Sequence, residues 1–158
     1  MSIADVQSFL DARHTGLTVI DPKADTSTVE AAAAALGVAP AQIAKTLALR
    51  AGDHFLLLVT SGIVRLDNAK FRHRFGAKPR MLPAAEAEAL TGQPVGGIGP
   101  FGHLSHIDIF CDESLHAFDI VYPGGGSPHS AMRVTPDQIA DLTGASWVDV
   151  TRAPKADV

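Results

Sequence analysis

The spacing of apolar residues along this chain changes between a period of 3.6, which is typical of helices, and a period of two, which is typical of strands. Five stretches have the helical period and predict helices at 2–13, 26–36, 66–75, 83–90 and 135–142. Capping residues support these boundaries, with Ser2 expected to cap the first helix and Thr26 or Ser27 the second. Pro83 is expected at the first position of the fourth helix, where a missing N–H costs nothing.

Eight shorter stretches have the strand period or a run of apolar residues, and glycine, proline and aspartate separate them. They lie at 16–21, 43–50, 55–60, 78–82, 105–111, 117–122, 129–134 and 146–150. The stretches at 43–50 and 55–60 are joined by a short turn and predict an antiparallel hairpin in the centre of the sheet. The prediction is therefore an α/β fold of the α+β type, with a mixed, largely antiparallel sheet surrounded by helices.

The composition fits one domain over residues 1–158. Of the 158 residues, 46% are hydrophobic and 19% are charged, which is enough apolar material for a sizeable core. A membrane span needs about 20 apolar residues, and no run in this chain approaches that length. The first residues lack the pattern of a signal peptide, so we expect a cytoplasmic protein without membrane contact. The single cysteine, Cys111, excludes an internal disulfide and a cysteine-based metal site.

Positive charge is concentrated in one window of an otherwise acidic chain. The formal net charge is −4, with 13 lysines and arginines against 17 acidic residues. Between Arg65 and Arg80 there are six basic residues and one acid, Asp67. Such a concentration predicts a local anion-binding face. Its candidate residues are Lys70, Arg72, Arg74, Lys78 and Arg80.

The stretch from Val95 to Gly102, which we call the glycine loop, contains four glycines and a proline. Its other residues are apolar and expected to be buried, so the loop should present its main chain in a fixed shape. Glycine allows a ligand to approach main-chain N–H and C=O groups closely. The alternative is a tight turn between two elements.

Lys45 is unusual because it shares strand parity with the apolar residues Ile43, Leu47 and Leu49. An ammonium group that points towards a core must either extend to the end of the strand or meet a cleft that needs a cation. The sequence leaves both alternatives open. Thr46 points to the opposite face.

A second glycine-rich stretch, residues 124–130, ends in His129 and Ser130. We call it the second glycine loop. Its small residues can supply main-chain amides, and the histidine can carry a proton or orient a substrate. The alternative is a plain hairpin turn.

The remaining histidines do not predict a metal site. His103, His106 and His116 could join Asp108 around a metal, but residues three apart on a strand point to opposite faces. The chain has no nucleophile elbow, Walker loop or dinucleotide fingerprint. We therefore expect no cofactor and no metal ion.

Three of these features occur in the order that is typical of one family. Lys45 followed by threonine and leucine, an apolar hairpin followed by a basic helix, and a Gly-x-x-x-Pro pattern from Gly96 to Pro100 resemble the YbaK/ProX family of aminoacyl-tRNA deacylases. The resemblance covers residues 19–150. It implies the fold of the prolyl-tRNA synthetase editing domain in a free-standing protein, which hydrolyses mischarged aminoacyl-tRNA in trans.

The resemblance also implies roles for individual residues. Lys45 matches the lysine that holds the substrate near the 3′-terminal adenosine, and Gly96, or Gly97 in a shifted register, matches the loop glycine that polarises the ester. These three are the expected catalytic residues. The expected substrate-binding residues are Thr46, Ile98, Gly99, Pro100, Phe101, His129 and Ser130. No serine or cysteine nucleophile is implied, so water would attack the ester with help from the ribose hydroxyl and from main-chain donors.

The implied substrate is tRNA(Pro) that carries a small non-cognate amino acid, namely alanine, cysteine or 2-aminobutyrate. The Lys-Thr pair resembles YbaK more than the alanine-specific branch, which tends to have asparagine after the lysine, whereas His129 departs from YbaK. Mischarged tRNA is the expected partner, and prolyl-tRNA synthetase is a second one. The alternative function is a non-catalytic RNA- or nucleotide-binding module of the same fold, because the sequence has no clear acid/base pair.

Overall fold

The computed structural model describes residues 3–103 and 105–154, and the predicted cap Ser2 lies outside them. Within these residues the helices are α1 (Ile3–Ala12), α2 (Val29–Leu36), α3 (Asn68–Phe75), α4 (Ala84–Thr91) and α5 (Pro136–Thr143). The strands are β1 (Ile43–Ala51), β2 (His54–Ser61), β3 (Arg65–Leu66), β4 (Pro79–Met81), β5 (Asp108–Asp112), β6 (Tyr122–Pro123), β7 (Ser146–Val148) and β8 (Thr151–Arg152). Among the described helices, none combines the length and the hydropathy that a membrane span requires.

Six strands form one mixed sheet, in which β4, β1, β2, β5 and β7 lie side by side and β6 pairs with β1. β1 and β2 form the predicted central hairpin, which is antiparallel from Ala44 opposite Ser61 to Ala51 opposite His54. β4 is also antiparallel to β1, whereas β5, β6 and β7 join in parallel. β3 and β8 form a separate two-stranded sheet. The predicted α/β fold with a mixed, largely antiparallel sheet and surrounding helices is confirmed.

Each predicted helix is present, and its ends follow capping chemistry. Thr28, and not Thr26 or Ser27, caps α2, because its hydroxyl accepts a hydrogen bond from the Ala31 N–H at 3.1 Å. Pro83 is the N-cap of α4 rather than its first residue. Thr28 has the extended backbone that an N-cap needs, whereas Pro83 makes no side-chain capping bond.

Two predicted strands are wrong and a third is nearly absent. The stretches 16–21 and 129–134 contain only isolated bridges, one of which joins Ile20 to Ala131. The stretch 117–122 is a strand only at its last residue, where β6 begins. These segments converge on the second glycine loop, where proline removes main-chain donors and glycine supplies no side chain to pack, so no continuous ladder forms.

The two faces of the central hairpin pack against different layers, because strand residues alternate in direction. On one face, Leu49 and Leu56 pack with Phe71 of α3. On the other face, Ala48 and Leu57 pack against α4 and the glycine loop. The basic helix α3 and the glycine loop therefore lie on opposite faces of the sheet.

One edge of β1 is shared by two short strands with a gap between them. β6 pairs with β1 at Ile43 and Ala44, and β4 pairs with it from Leu49 to Ala51. Within the described part of the chain, no strand pairs with positions 45–48 on this edge. The gap leaves the middle of β1 without a neighbouring strand on the edge that faces away from β2.

Candidate active site

A cavity of about 250 Å³ lies at the gap in the sheet. β1 forms its floor, and its walls come from the segment that caps α2, from α4, from the glycine loop and from the end of β6. Five of the predicted site residues line it, namely Lys45, Thr46, Gly96, Ile98 and Ser130. The gap explains how Lys45 and Thr46, which point to opposite faces of β1, both border the same cavity.

Lys45 lines the cavity, and its ammonium group is bound to a main-chain carbonyl. The side chain is half-buried, and Nζ donates a hydrogen bond to the carbonyl oxygen of Val64 at 2.9 Å. Burial lowers the pKa of Lys45, and the nearby charges of Glu30 and Arg65 act in opposite directions, Glu30 raising it and Arg65 lowering it. Of the two alternatives that the sequence leaves open, the lysine meets a cleft.

Thr46 lines the cavity and carries an unusual polar atom. Its Oγ1 is buried and has no hydrogen-bond partner among the described residues. Ala44 and Ala48, which share its strand parity, also line the cavity. A buried polar atom without a partner is rare in folded proteins and requires an explanation.

The buried side chain of Gln93 holds the glycine loop in shape. Its Oε1 accepts a hydrogen bond from the Gly99 N–H at 2.9 Å, and its Nε2 donates to the Phe101 carbonyl at 2.7 Å. His103 adds a 2.6 Å contact from Nε2 to the Gly99 carbonyl, and because a carbonyl only accepts, Nε2 carries the proton. Burial lowers the pKa of His103, and the bond to Gly99 offsets part of that shift.

Two glycines of the loop are required by contact with the second glycine loop. A methyl group at Gly97 would lie 2.6 Å from the Cα of Ser127, and one at Gly99 would lie 2.9 Å from the carbonyl carbon of Gly124. Both distances are too short for any side chain. Gly96 has a φ of 90°, which also favours glycine, and it lines the cavity. The two loops therefore pack main chain against main chain, and Gly96 is the glycine that a ligand can approach.

The predicted residues of the second glycine loop have different surroundings. Ser130 is buried, and its Oγ accepts from the Ser127 N–H at 3.1 Å and donates to the Ser127 carbonyl at 3.1 Å. Its hydroxyl is thus occupied within the loop. His129 is exposed and does not line the cavity, and its Nδ1 lies 3.6 Å from Oδ2 of Asp21.

Three further predicted residues of the glycine loop are buried in the core and do not border the cavity. Gly99, Pro100 and Phe101 are buried and do not line the cavity, and neither does Gly97. The Phe101 ring stacks on Phe9 of α1 with 5.8 Å between the ring centroids. Their place in the structure is to anchor the loop in the core.

The predicted basic face is divided between two surfaces. Lys70 on α3 is bound to Asp149 at 3.1 Å and to the Thr151 carbonyl at 2.9 Å. Arg74 lies over the rings of Phe75 and Phe110. The other three candidates, Arg72, Lys78 and Arg80, are exposed. Arg80 lies opposite Arg50 in the β1–β4 ladder and therefore shares the sheet face of the cavity.

The histidines at positions 103, 106 and 116 do not converge. His103 is bound to the glycine loop, whereas His116 stacks on the ring of Trp147 at 4.0 Å. His106 lies 3.8 Å from Asp108. In residues 3–103 and 105–154, no three histidine, cysteine or carboxylate side chains are placed to hold a metal. Burial raises the pKa of Cys111 to about 12, with a smaller effect from Asp112, so this thiol is not a nucleophile.

Sequence reasoning missed several residues around the site. Gln93 lies between a glycine and a proline, and only its burial identifies it as the support of the loop. Arg50 lies outside the basic window and joins Arg80 only through strand pairing. Thr26, Ser27 and Thr28 line the cavity because α2 begins there. A run of three hydroxyl residues before a helix is a signal for a cap, but not for a cavity wall.

The chain matches one protein family and is similar to several known proteins. The model of the family described as the aminoacyl-tRNA editing domain matches residues 23–142. The chain is 35% identical over 154 residues to the uncharacterised protein YwhH of Bacillus subtilis, a match that covers 96% of this chain and 98% of YwhH. It is also 32% identical over 91 residues to the proline–tRNA ligase of Bacillus licheniformis, a match that covers 57% of this chain and 16% of the ligase.

A solved structure has the same fold over nearly the whole chain. It was described as a candidate trans-editing enzyme for prolyl-tRNA synthetase, and it superposes with a TM-score of 0.87 at 33% sequence identity. The superposition covers 97% of this chain and 99% of the other.

Proposed function

Because this chain belongs to the aminoacyl-tRNA editing domain family, we propose that it hydrolyses the ester bond of mischarged aminoacyl-tRNA in trans. The family resemblance predicted from the sequence is confirmed, and the family together with the solved relative supports editing of mischarged tRNA. The observation that carries the proposal is the cavity at the sheet gap, because it brings Lys45 and Gly96 to one site.

The proposed substrate is tRNA(Pro) carrying alanine, cysteine or 2-aminobutyrate. A cavity of about 250 Å³ suits a small amino acid, and its walls include small and apolar residues such as Ala48, Ala87 and Ile98. Selection by size alone is worth only about 1–3 kcal/mol per methylene group. The shape of these walls would therefore decide which of the three amino acids is removed.

In the proposed mechanism water attacks the ester without a protein nucleophile or a metal. Lys45 would hold the 3′-terminal nucleotide by its charge, and the Gly96 region would present main-chain donors to the oxyanion that forms in the transition state. The hydroxyl of Ser130 is already occupied within its own loop, which supports a role in shaping the cavity rather than in attack. The ribose hydroxyl of the substrate would help to activate the water.

We propose that the exposed arginines and lysines contact the tRNA. Mischarged tRNA is then the partner, and the proposed place of action is the cytoplasm. Association with prolyl-tRNA synthetase would bring the domain to newly charged tRNA. Phosphate contacts of this kind weaken steeply with salt.

The test is deacylation of tRNA(Pro) charged separately with alanine, cysteine, 2-aminobutyrate and proline. We expect at least one small amino acid to be released well above the buffer rate, while prolyl-tRNA(Pro) is spared. A protein that binds all four tRNAs and accelerates none of them is the non-catalytic RNA-binding module, and that result would refute the enzymatic proposal.

A further inference from the structure

The gap in the sheet leaves the main chain of one cavity residue, Thr46, without a strand neighbour on the edge of β1 that faces away from β2. Pairing with β6 ends at Ala44, and pairing with β4 begins at Leu49. The carbonyl of Ala48 is directed to this edge, since it accepts a hydrogen bond from the Leu82 N–H at 3.0 Å. The direction of the Ala48 carbonyl therefore shows which residues of β1 point their main-chain groups towards this edge.

Strand residues two apart direct their main-chain groups to the same side. Thr46 consequently points its N–H and C=O into the gap, as Ala48 does, whereas Lys45 and Leu47 point theirs to β2. The Oγ1 of Thr46 is also without a hydrogen-bond partner among the described residues. No described strand pairs with the Thr46 N–H and C=O on this edge, so these two main-chain groups are open to a ligand in the gap.

We propose that the aminoacyl group of the substrate occupies this gap as a one-residue extension of the sheet. Its α-amino group donates a hydrogen bond to the Thr46 carbonyl, and its ester carbonyl accepts one from the Thr46 N–H. An extended amino acid ester carries a donor and an acceptor at the spacing of a strand residue, as in peptide recognition by strand addition. The inference rests on the proposed function and adds to it the recognition of the amino acid's main chain.

This mode of binding has a chemical consequence. The contacts are made by the main chain of Thr46, so they are the same for every amino acid, and the cavity walls act only on the side chain. A substrate that lacks a donor at the α-position leaves the Thr46 carbonyl unpaired. The enzyme should therefore require an α-donor even when the acyl group fits the cavity.

The first test compares tRNA(Pro) carrying alanyl, lactyl and propionyl groups, which have an amino group, a hydroxyl group and hydrogen at the α-position. Each kcat/KM is divided by the rate constant in buffer, because the three esters differ in intrinsic reactivity. We expect the normalised value for propionyl to be at least tenfold below that for alanyl, with lactyl between them. Equal normalised values would overturn the inference while leaving the hydrolase intact, whereas no acceleration of any ester would count against the hydrolase itself.

The second test observes Thr46 directly and does not depend on turnover. The ligand is 3′-alanylamino-adenosine, in which an amide replaces the ester. We expect the Thr46 amide resonance to shift and its hydrogen exchange to slow at least tenfold, while the Leu47 amide, which points to β2, stays unchanged as the matched control. An unchanged Thr46 amide at millimolar ligand would refute the inference, whether or not the glycine loop responds.

Discussion

At the scale of single residues, Lys45 is the group whose environment differs most from that of a surface lysine. Its ammonium group is bound to the Val64 carbonyl at 2.9 Å, the residue lines the cavity, and burial lowers its pKa. A phosphate or ribose oxygen arriving at this residue would meet a positive charge that is already positioned. The proposed function therefore assigns most of the anchoring of the 3′-terminal nucleotide to one side chain.

Replacement of this side chain should separate activity from stability. We expect Lys45→Ala to lower kcat/KM by about 100-fold, because a hydrogen bond to a charged group is worth about 1.5–3 kcal/mol. The free energy of unfolding should change by less than about 1 kcal/mol, since loss of the bond to Val64 is offset by removal of a partly desolvated charge. Single-turnover deacylation and thermal unfolding measure the two quantities. Lys23→Ala, which removes an exposed lysine paired with Asp21, is the control and should retain activity.

The pH dependence of the same contact follows from the direction of the pKa shift. Because the pKa of Lys45 is lowered from its ordinary 10.5 in the folded protein, the charge is lost at a lower pH than in the unfolded chain. The affinity for a nucleotide anion should therefore fall as the pH rises through that lowered value. The contribution of Lys45 to the free energy of unfolding has the opposite trend and rises with pH, because the unfolded state binds the proton more tightly. An affinity that is the same in Lys45→Ala and wild type at every pH would contradict this role.

At the scale of elements, the sequence predicts those whose order arises locally. α5 begins with a reciprocal capping box between Thr135 and Gln138, which only these neighbouring residues need to form. The β1–β2 hairpin is predicted for the same reason, since its two apolar strands are joined by a short turn. The prediction of a strand at 129–134 is wrong, because the alternation of residues there only resembles that of a strand. Consecutive residues from Ser130 to Met132 are all buried, so their pattern reflects packing in the core and not a ladder.

The candidate site could be predicted only in part, because the roles of its residues depend on contacts with distant parts of the chain. Lys45 and the glycine loop are local anomalies of the sequence, whereas Thr46 and the choice of Gly96 depend on the family resemblance, and the structure brings all three residues to one cavity. The need for glycine at positions 97 and 99 could not be derived, since it depends on the main chain of a loop about thirty residues further along. A run of glycines indicates that the main chain is approached closely by another group, but it does not identify that group.

The shape of the glycine loop depends on two hydrogen bonds from the Gln93 side chain. Removal of this side chain should impair catalysis. We expect Gln93→Leu to lower kcat at least tenfold, because the Gly99 N–H and the Phe101 carbonyl lose their partner and the loop loses its shape. Two buried polar groups left without partners should also lower the free energy of unfolding by about 2–5 kcal/mol. Turnover is therefore measured well below the melting temperature of the variant.

Gln7 offers a matched control for this experiment. Its amide makes the same pair of bonds to another loop, accepting from the Val19 N–H at 2.8 Å and donating to the Leu17 carbonyl at 2.9 Å, and it does not line the cavity. Gln7→Leu should lower stability but leave kcat near the wild-type value. Equal losses of kcat in both variants would mean that general destabilisation, and not the shape of the glycine loop, limits turnover.

At the scale of the whole molecule, strand pairing places arginines directly opposite one another at two positions. Arg50 lies opposite Arg80 in the β1–β4 ladder, and Arg65 lies opposite Arg152 in the β3–β8 ladder. None of these four forms an ion pair with a described residue. Like charges directly opposite each other are unfavourable in a sheet. They are retained at no net cost if an anion such as a phosphate lies between them.

These pairs should therefore bind the tRNA backbone and oppose folding when the tRNA is absent. We expect Arg80→Ala to weaken tRNA binding and to reduce the slope of log K against log salt by about 1, because one phosphate contact is lost. The variant should also unfold at a slightly higher temperature than wild type, since Arg50 no longer faces a like charge. Arg13→Ala, an arginine that stacks on Phe9 outside the cavity, should leave both the affinity and the salt slope unchanged. If Arg80→Ala bound tRNA with the wild-type salt slope, Arg80 would make no phosphate contact, and the proposed role of the Arg50–Arg80 pair in tRNA binding would be wrong.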